Sequence, residues 1–171
     1  NDSFAQLEGL CEGLHYAHRN GITHTDIKPE NILFSTSDTD SIGKFSDWGL
    51  ANVLLEHSTS VHGLTPDYSA QEQIQPEMYG GTDDRTDIYQ LGVVAYELFT
   101  DQIPYGGSSH GEMVNTILNA EPPKPSEINP DLPEALDSVL LKAIEKNKKD
   151  RYETALHLRD DLRRVYHQYY K

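Results

Sequence analysis

Phe4, Leu7, Cys11, Leu14 and His18 recur in steps of three and four, the spacing of one face of an α-helix. Asn20-Gly21 is the predicted stop, because Gly takes the left-handed conformation that ends helices. The apolar run Ile32-Leu33-Phe34 suits a buried strand, residues 35–41 are polar and turn-forming, and Ile42 to Phe45 returns as the second strand of a hairpin. Residues 50–69 show no sustained period and carry several hydroxyls, which predicts a long surface loop. From Asp83 to Thr100, Ile88, Leu91, Val94, Ala95, Leu98 and Phe99 form a wide apolar face that Gly92 and Val93 extend. That pattern predicts a central buried helix. Pro104-Tyr105-Gly106-Gly107 breaks the chain, and Met113, Ile117 and Leu118 mark a shorter helix. Residues 121–133 hold five prolines and read as an extended connector without helix. Leu136, Val139, Leu140, Ala143 and Ile144 predict another helix, and Ala155, Leu158, Leu162, Val165, Tyr166 and Tyr169 predict the last. No repeat or linker divides the 171 residues. The expectation is one mainly α domain, a helical bundle with a small β-hairpin.

Composition narrows the function classes. The chain carries 14 basic and 28 acidic residues, a formal charge of −14. Nucleic acid and anionic membrane both need a basic field, so neither is an expected partner. The acidity fits a well-solvated surface or adaptation to high salt. Cys11 is the single cysteine, which excludes an intrachain disulfide and a thiolate zinc site, and its place on an apolar helix face predicts a buried thiol. The eight histidines show no metal-ligand spacing, and His15 and His18 read as helix-surface residues. No apolar run is long enough to span a bilayer and no signal-peptide core is visible at the N-terminus, so a cytoplasmic location is expected.

The chemistry concentrates in residues 24–31, His-Thr-Asp-Ile-Lys-Pro-Glu-Asn, and in Asp47-Trp48-Gly49 downstream. Singly these are ordinary turn residues. Together they supply a carboxylate able to orient a hydroxyl (Asp26), an ammonium able to neutralise a phosphate oxygen (Lys28), and two oxygen ligands suited to magnesium (Asn31 and Asp47). The hairpin brings the last two together, because Asn31 precedes its first strand and Asp47 follows its second.

This order resembles the catalytic loop and metal-binding triplet of eukaryotic-type serine/threonine protein kinases, H-R-D-x-x-x-x-N followed by D-F-G. Ala70-Gln71-Glu72 is similar to that family's A-P-E triplet. Gly63-Leu64-Thr65-Pro66-Asp67-Tyr68 is similar to its substrate-docking segment, Asp87-Ile88-Tyr89-Gln90-Leu91-Gly92 to the start of its central helix, and Asp150-Arg151-Tyr152 to its final element. The resemblance covers essentially residues 1–171 and implies the C-terminal lobe of a kinase. It implies ATP and Mg2+ as cofactors, a protein Ser or Thr as substrate, and an N-terminal lobe of the same parent chain as partner. By this resemblance Asp26 and Lys28 are catalytic, Asn31 and Asp47 bind metal, and Thr65 binds substrate. His24, Gly49, Glu72, Asp87 and Arg151 are structural, with Arg151 pairing Glu72 and Asp87 holding the loop backbone. Lys28, two residues after Asp26, fits Ser or Thr as acceptor in place of Tyr.

The family's glycine-rich loop, strand lysine and partner glutamate normally precede this loop by a whole lobe, and here 23 residues precede it. The expectation is an isolated lobe, one part of a longer polypeptide, without efficient catalysis by itself. A protein-binding lobe that does no chemistry is the alternative. Three departures stand out. Thr25 replaces the arginine that in many members receives a loop phosphate, although Ser58, Thr59, Ser60 and Thr65 are available hydroxyls. Trp48 replaces Phe, and Gln71 replaces Pro.

Overall fold

A computed structural model of the protein describes residues 2–36, 41–48 and 66–171. Helix α1 (Asp2–Arg19) turns Phe4, Leu7, Leu10, Cys11, Leu14 and Ala17 inward. It ends as the sequence predicts. Gly21 sits at φ 72°, its N–H donates to the His18 carbonyl (3.0 Å), and the Ile22 N–H donates to the Ala17 carbonyl (3.0 Å). That pair of bonds is a Schellman cap, which satisfies carbonyls a helix end leaves open.

Strands β1 (Ile32–Thr36) and β2 (Ser41–Phe45) pair antiparallel, with Ile32 opposite Phe45 and Phe34 opposite Gly43. Gly43 lets the hairpin lie on α1, since a Cβ there would meet Leu10 Cδ2 at 3.0 Å. Two short helices follow, α2 (Gln71–Ile74) and α3 (Pro76–Tyr79). The long helix α4 (Asp84–Thr100) starts from Asp83, whose carboxylate accepts from the Arg85 N–H at 2.9 Å. The remaining helices are α5 (His110–Asn119), α6 (Pro125–Ile128), α7 (Glu134–Ala143) and α8 (Ala155–Tyr169).

The main core joins α1, α4, α7 and α8 through Leu7, Cys11, Ile88, Leu91, Leu140, Leu158 and Leu162. A second cluster places Tyr89, Val93, Tyr96 and Ile144 on another side of α4. Gly92 sets how closely α4 approaches α7, because a Cβ there would lie 2.7 Å from Ala143 Cβ. Among the described residues the result is the expected mainly α bundle with a small hairpin.

Four expectations need correction. The run Ile32-Leu33-Phe34 is not a buried strand throughout, since Leu33 is 58 % and Phe34 48 % exposed. The connector 121–133 contains helix α6, because Pro125 occupies its first position, where a missing N–H costs nothing and the ring presets φ. Leu98 is 42 % exposed, so the apolar face of α4 is not buried along its full length. His18 is not a surface residue, since its side chain is 6 % exposed and bonded to Asp87. Of the predicted loop 50–69, residues 66–68 form a 3-10 turn, and its earlier part lies outside the described residues.

Candidate active site

The loop from Ile22 to Asn31 leaves α1, crosses the N-terminal half of α4 and enters β1. It ends in the 3-10 turn Pro29–Asn31, and before that turn, from His24 to Ile27, side chains satisfy the backbone in place of helix or sheet bonds. Asp87, fully buried, accepts from the His24 N–H (2.8 Å) and the Thr25 N–H (2.6 Å), and His18 Nε2 lies 2.8 Å from the same carboxylate. Three donors on one carboxylate offset the cost of burying it.

His24 is also fully buried. Its Nδ1 accepts from the Asp26 N–H (3.2 Å), so the proton is on Nε2, which donates to the Ser46 carbonyl at 2.7 Å. The ring stands 4.8 Å from Trp48 and 5.8 Å from Phe45, and Trp48 Nε1 donates to the Phe45 carbonyl at 3.0 Å. One neutral imidazole thus joins the Asp26 loop to the segment that carries Asp47.

Thr25 sits at φ 60°, an outlier for a β-branched residue that costs about 1–3 kcal/mol. Its hydroxyl is buried without a hydrogen-bond partner among the described residues, so the residue is held by its backbone. Asp26 follows with a partly exposed carboxylate. Asn31 Nδ2 donates to the Asp26 carbonyl (2.8 Å) and to Asp26 Oδ2 (3.1 Å), and Lys28 Nζ lies 3.6 Å from the same Oδ2. The carboxylate is oriented by an amide and accompanied by a cation, yet solvent still reaches it.

Beyond the hairpin, the Ser46 N–H donates to the Asn31 carbonyl at 2.9 Å. Asp47 follows, exposed and at φ 62°, with Ser46 Oγ donating to its Oδ2 at 3.2 Å. Asp tolerates this left-handed backbone better than most residues. The Asn31 amide nitrogen is committed to Asp26, and its oxygen is the end able to ligate a cation. An amide oxygen and a carboxylate fit a hard ion that completes its shell with water and phosphate oxygens, as magnesium does. Among the described residues no group of three or more His, Cys, Asp or Glu could hold a metal.

A second buried construction lies behind the loop. Arg151 and Glu72 are fully enclosed and meet through two parallel bonds, Nη1 to Oε1 (2.7 Å) and Nη2 to Oε2 (2.9 Å). Arg151 Nε also donates to the Glu145 carbonyl (2.7 Å), Thr86 Oγ1 donates to Glu72 (2.8 Å), and the guanidinium lies over the Tyr89 ring at 4.8 Å. This pair ties α2 to the turn before α8.

Thr65 and Gly49, along with Ser58, Thr59 and Ser60, lie outside the described residues. Sequence reading missed two side chains that grip the loop, Gln73 and Gln90, and a third, His18, that bonds the Asp87 carboxylate beneath it. His18 shares the apolar spacing of α1, which signalled burial, while nothing local announced the two glutamines.

A family model described as protein kinase domain matches residues 4–162. The chain is 36% identical over 162 residues to the serine/threonine-protein kinase PknB of Mycobacterium tuberculosis, covering 94% of this chain and 25% of that protein. It is 33% identical over 162 residues to a probable serine/threonine-protein kinase of Clostridium acetobutylicum, covering 94% of this chain and 24% of that one. The crystal structure of the Mycobacterium tuberculosis PknI kinase domain is similar with a TM-score of 0.71 at 26% identity, over 96% of this chain and 55% of that one. The chain therefore spans about a quarter of the length of these curated relatives and about half of the PknI kinase domain.

Proposed function

The chain belongs to the protein kinase family, and from that premise we propose that it is the C-terminal lobe of a serine/threonine kinase that transfers the ATP γ-phosphoryl group to a protein hydroxyl. In this reading Asp26 accepts a hydrogen bond from the acceptor hydroxyl and points its oxygen at the phosphorus. Lys28 neutralises charge on the transferred group. Asn31 and Asp47 are the oxygen donors that would hold magnesium, which when bound supplies charge neutralisation along the phosphates. Thr65 shapes the wall for the residue after the acceptor. Orientation and fixed electrostatics supply most of the rate, as expected where the protein forms no covalent bond to the phosphoryl group.

One observation carries the reading. Asn31 holds the Asp26 carboxylate directly, Lys28 stands beside it, and the same Asn31 is joined through its carbonyl to the residue before Asp47. The hydroxyl-orienting group and the cation ligands are thereby parts of one hydrogen-bonded unit.

The family's glycine-rich loop and strand lysine have no counterpart in these 171 residues. The chain by itself is therefore expected to bind magnesium ATP weakly, and calorimetric titration giving a dissociation constant in the low micromolar range would contradict this. The activity belongs to the protein in which this lobe is joined to a nucleotide-gripping lobe. Among the described residues no helix is long and apolar enough to cross a membrane.

The decisive experiment is steady-state phosphate transfer to a Ser-containing peptide by that two-lobed protein. Asp26→Asn should lower turnover by about two to four orders of magnitude with the KM for ATP nearly unchanged. Asp47→Asn should lower turnover and also weaken magnesium-nucleotide binding. Near-parental turnover in Asp26→Asn would withdraw the role given to Asp26, and no transfer by the parent two-lobed protein would leave a lobe that binds protein without chemistry.

A further inference from the structure

The peptide groups on either side of Asp26 are both held by side-chain amides. On one side the Thr25 carbonyl accepts from Gln73 Nε2 (2.8 Å) and from Gln90 Nε2 (3.2 Å). On the other the Ile27 N–H donates to Gln90 Oε1 at 2.9 Å. The glutamines also bind each other, Gln90 Nε2 to Gln73 Oε1 at 3.1 Å, and Gln73 Oε1 accepts from the Ala70 N–H at 3.0 Å. Every polar atom of both amides is therefore engaged, and Gln90 is buried.

The two residues come from different elements. Gln90 stands on α4, which the core holds rigid, while Gln73 stands on α2, which the Glu72–Arg151 pair anchors. Their shared target is a residue in a left-handed conformation whose own hydroxyl does nothing to hold it. Release of the Thr25 carbonyl would let that backbone relax, and Asp26 is the next residue. Its carboxylate direction depends on the two peptide planes the amides grip, and an error of about 1 Å at a reacting group costs about a hundredfold in rate.

We propose that Gln73 and Gln90 are positioning residues, an amide clamp that aims Asp26 and couples its direction to helix α2. The proposal rests on the kinase reading for its consequence and on the hydrogen bonds alone for the clamp. Because the clamp acts on the acceptor side of the reaction, it should govern turnover and leave nucleotide affinity alone.

The test replaces each amide by a side chain of similar length with no polar hydrogen-bonding pair, Gln90→Met and Gln73→Met, singly and together. In the two-lobed protein each single variant should lower kcat about ten- to a hundredfold with the KM for ATP within about twofold. The double variant should lose little more than the worse single one, because the two amides act as a unit. In the 171-residue chain, the Ile27 amide of Gln90→Met should exchange with solvent at least about ten times faster. A kcat within about twofold of the parent in either folded variant would overturn the clamp, as would a shift confined to the KM for ATP. If Gln90→Met does not fold, Gln73→Met on its partly exposed site decides by the same criterion. If the parent protein transfers no phosphate, the kinase reading fails, and the Ile27 exchange rate still decides the clamp, with an unchanged rate overturning it.

Discussion

Along α4, Ile88, Leu91 and Ala95 are as deeply buried as Thr86, Asp87 and Gln90, and the two sets do different work. The first faces α1, α7 and α8 and contributes by area removed from water, a force without direction. The second faces the loops and contributes through bonds of fixed length and angle to His24, Thr25, Ile27 and Glu72. Apolar burial tolerates a similar neighbour of similar volume. Polar burial does not, because a donor or acceptor deprived of its partner keeps its desolvation cost. One helix thus serves as the rigid floor of the fold and as the template for the loop laid across it.

The comparison can be broken most strongly at the buried ion pair. Glu72→Gln leaves the Arg151 guanidinium enclosed without a counter-charge, and chemical denaturation should show a loss of about 3–5 kcal/mol. Truncation on the apolar side should cost somewhat less, with Leu91→Ala losing roughly 3 kcal/mol through transfer and cavity terms. The two should also differ in kind. Leu91→Ala should lower global stability while leaving the relative protection of the Thr25 and Ile27 amides intact, whereas Glu72→Gln should loosen the loop first, read by native-state hydrogen exchange.

Gly92→Ala tests the apolar side by adding bulk. The new methyl meets Ala143 and Ile144, so thermal or urea unfolding should show a destabilisation of about 1–3 kcal/mol. The exposed ion pairs between α1 and α8 should matter least. Arg163 reaches Glu8 at 2.6 Å, yet its side chain is 42 % exposed, and Arg163→Ala should cost under about 1 kcal/mol and less at high salt.

Cys11 offers a measurement of the seal on that apolar side. Burial pushes its thiol up from 9.0 to about 12. A thiol raised in the fold stabilises it fully below pH 9, and that contribution is lost as the pH climbs from 9 toward 12. The native chain should therefore resist thiol-directed labelling at pH 8, with modification appearing only in denaturant. Labelling at the native rate of a free cysteine would show the core of α1 to be open.

Periodic elements were legible before any coordinates. Helices α1, α4, α7 and α8 carry enough apolar repeats to establish their faces, and the hairpin follows from two short runs around a polar turn. Helices α2, α3 and α6, of four residues each, are too short to display a period, and their ends are set by proline and by tertiary contacts. The site divides in the same way. Asp26, Lys28, Asn31 and Asp47 stand out because their chemistry depends on spacing along the chain. His18, Gln73 and Gln90 do not, because an imidazole or an amide carries no mark of the partner it will meet 69, 48 or 63 residues away.

The sequence by itself determined which long segments are helical, that two short runs form a hairpin, and which side chains bear carboxylates, amines and amides at phosphoryl-transfer spacing, since all of these are short-range properties of the chain. Only the tertiary structure decided that Asp87 serves three donors, that His24 joins two loops through a single tautomer, and that two glutamines from separate helices grip the peptides flanking Asp26. Those outcomes rest on directional bonds between residues far apart in sequence. Such bonds exist only once the apolar faces have packed and brought their atoms to within about 3 Å.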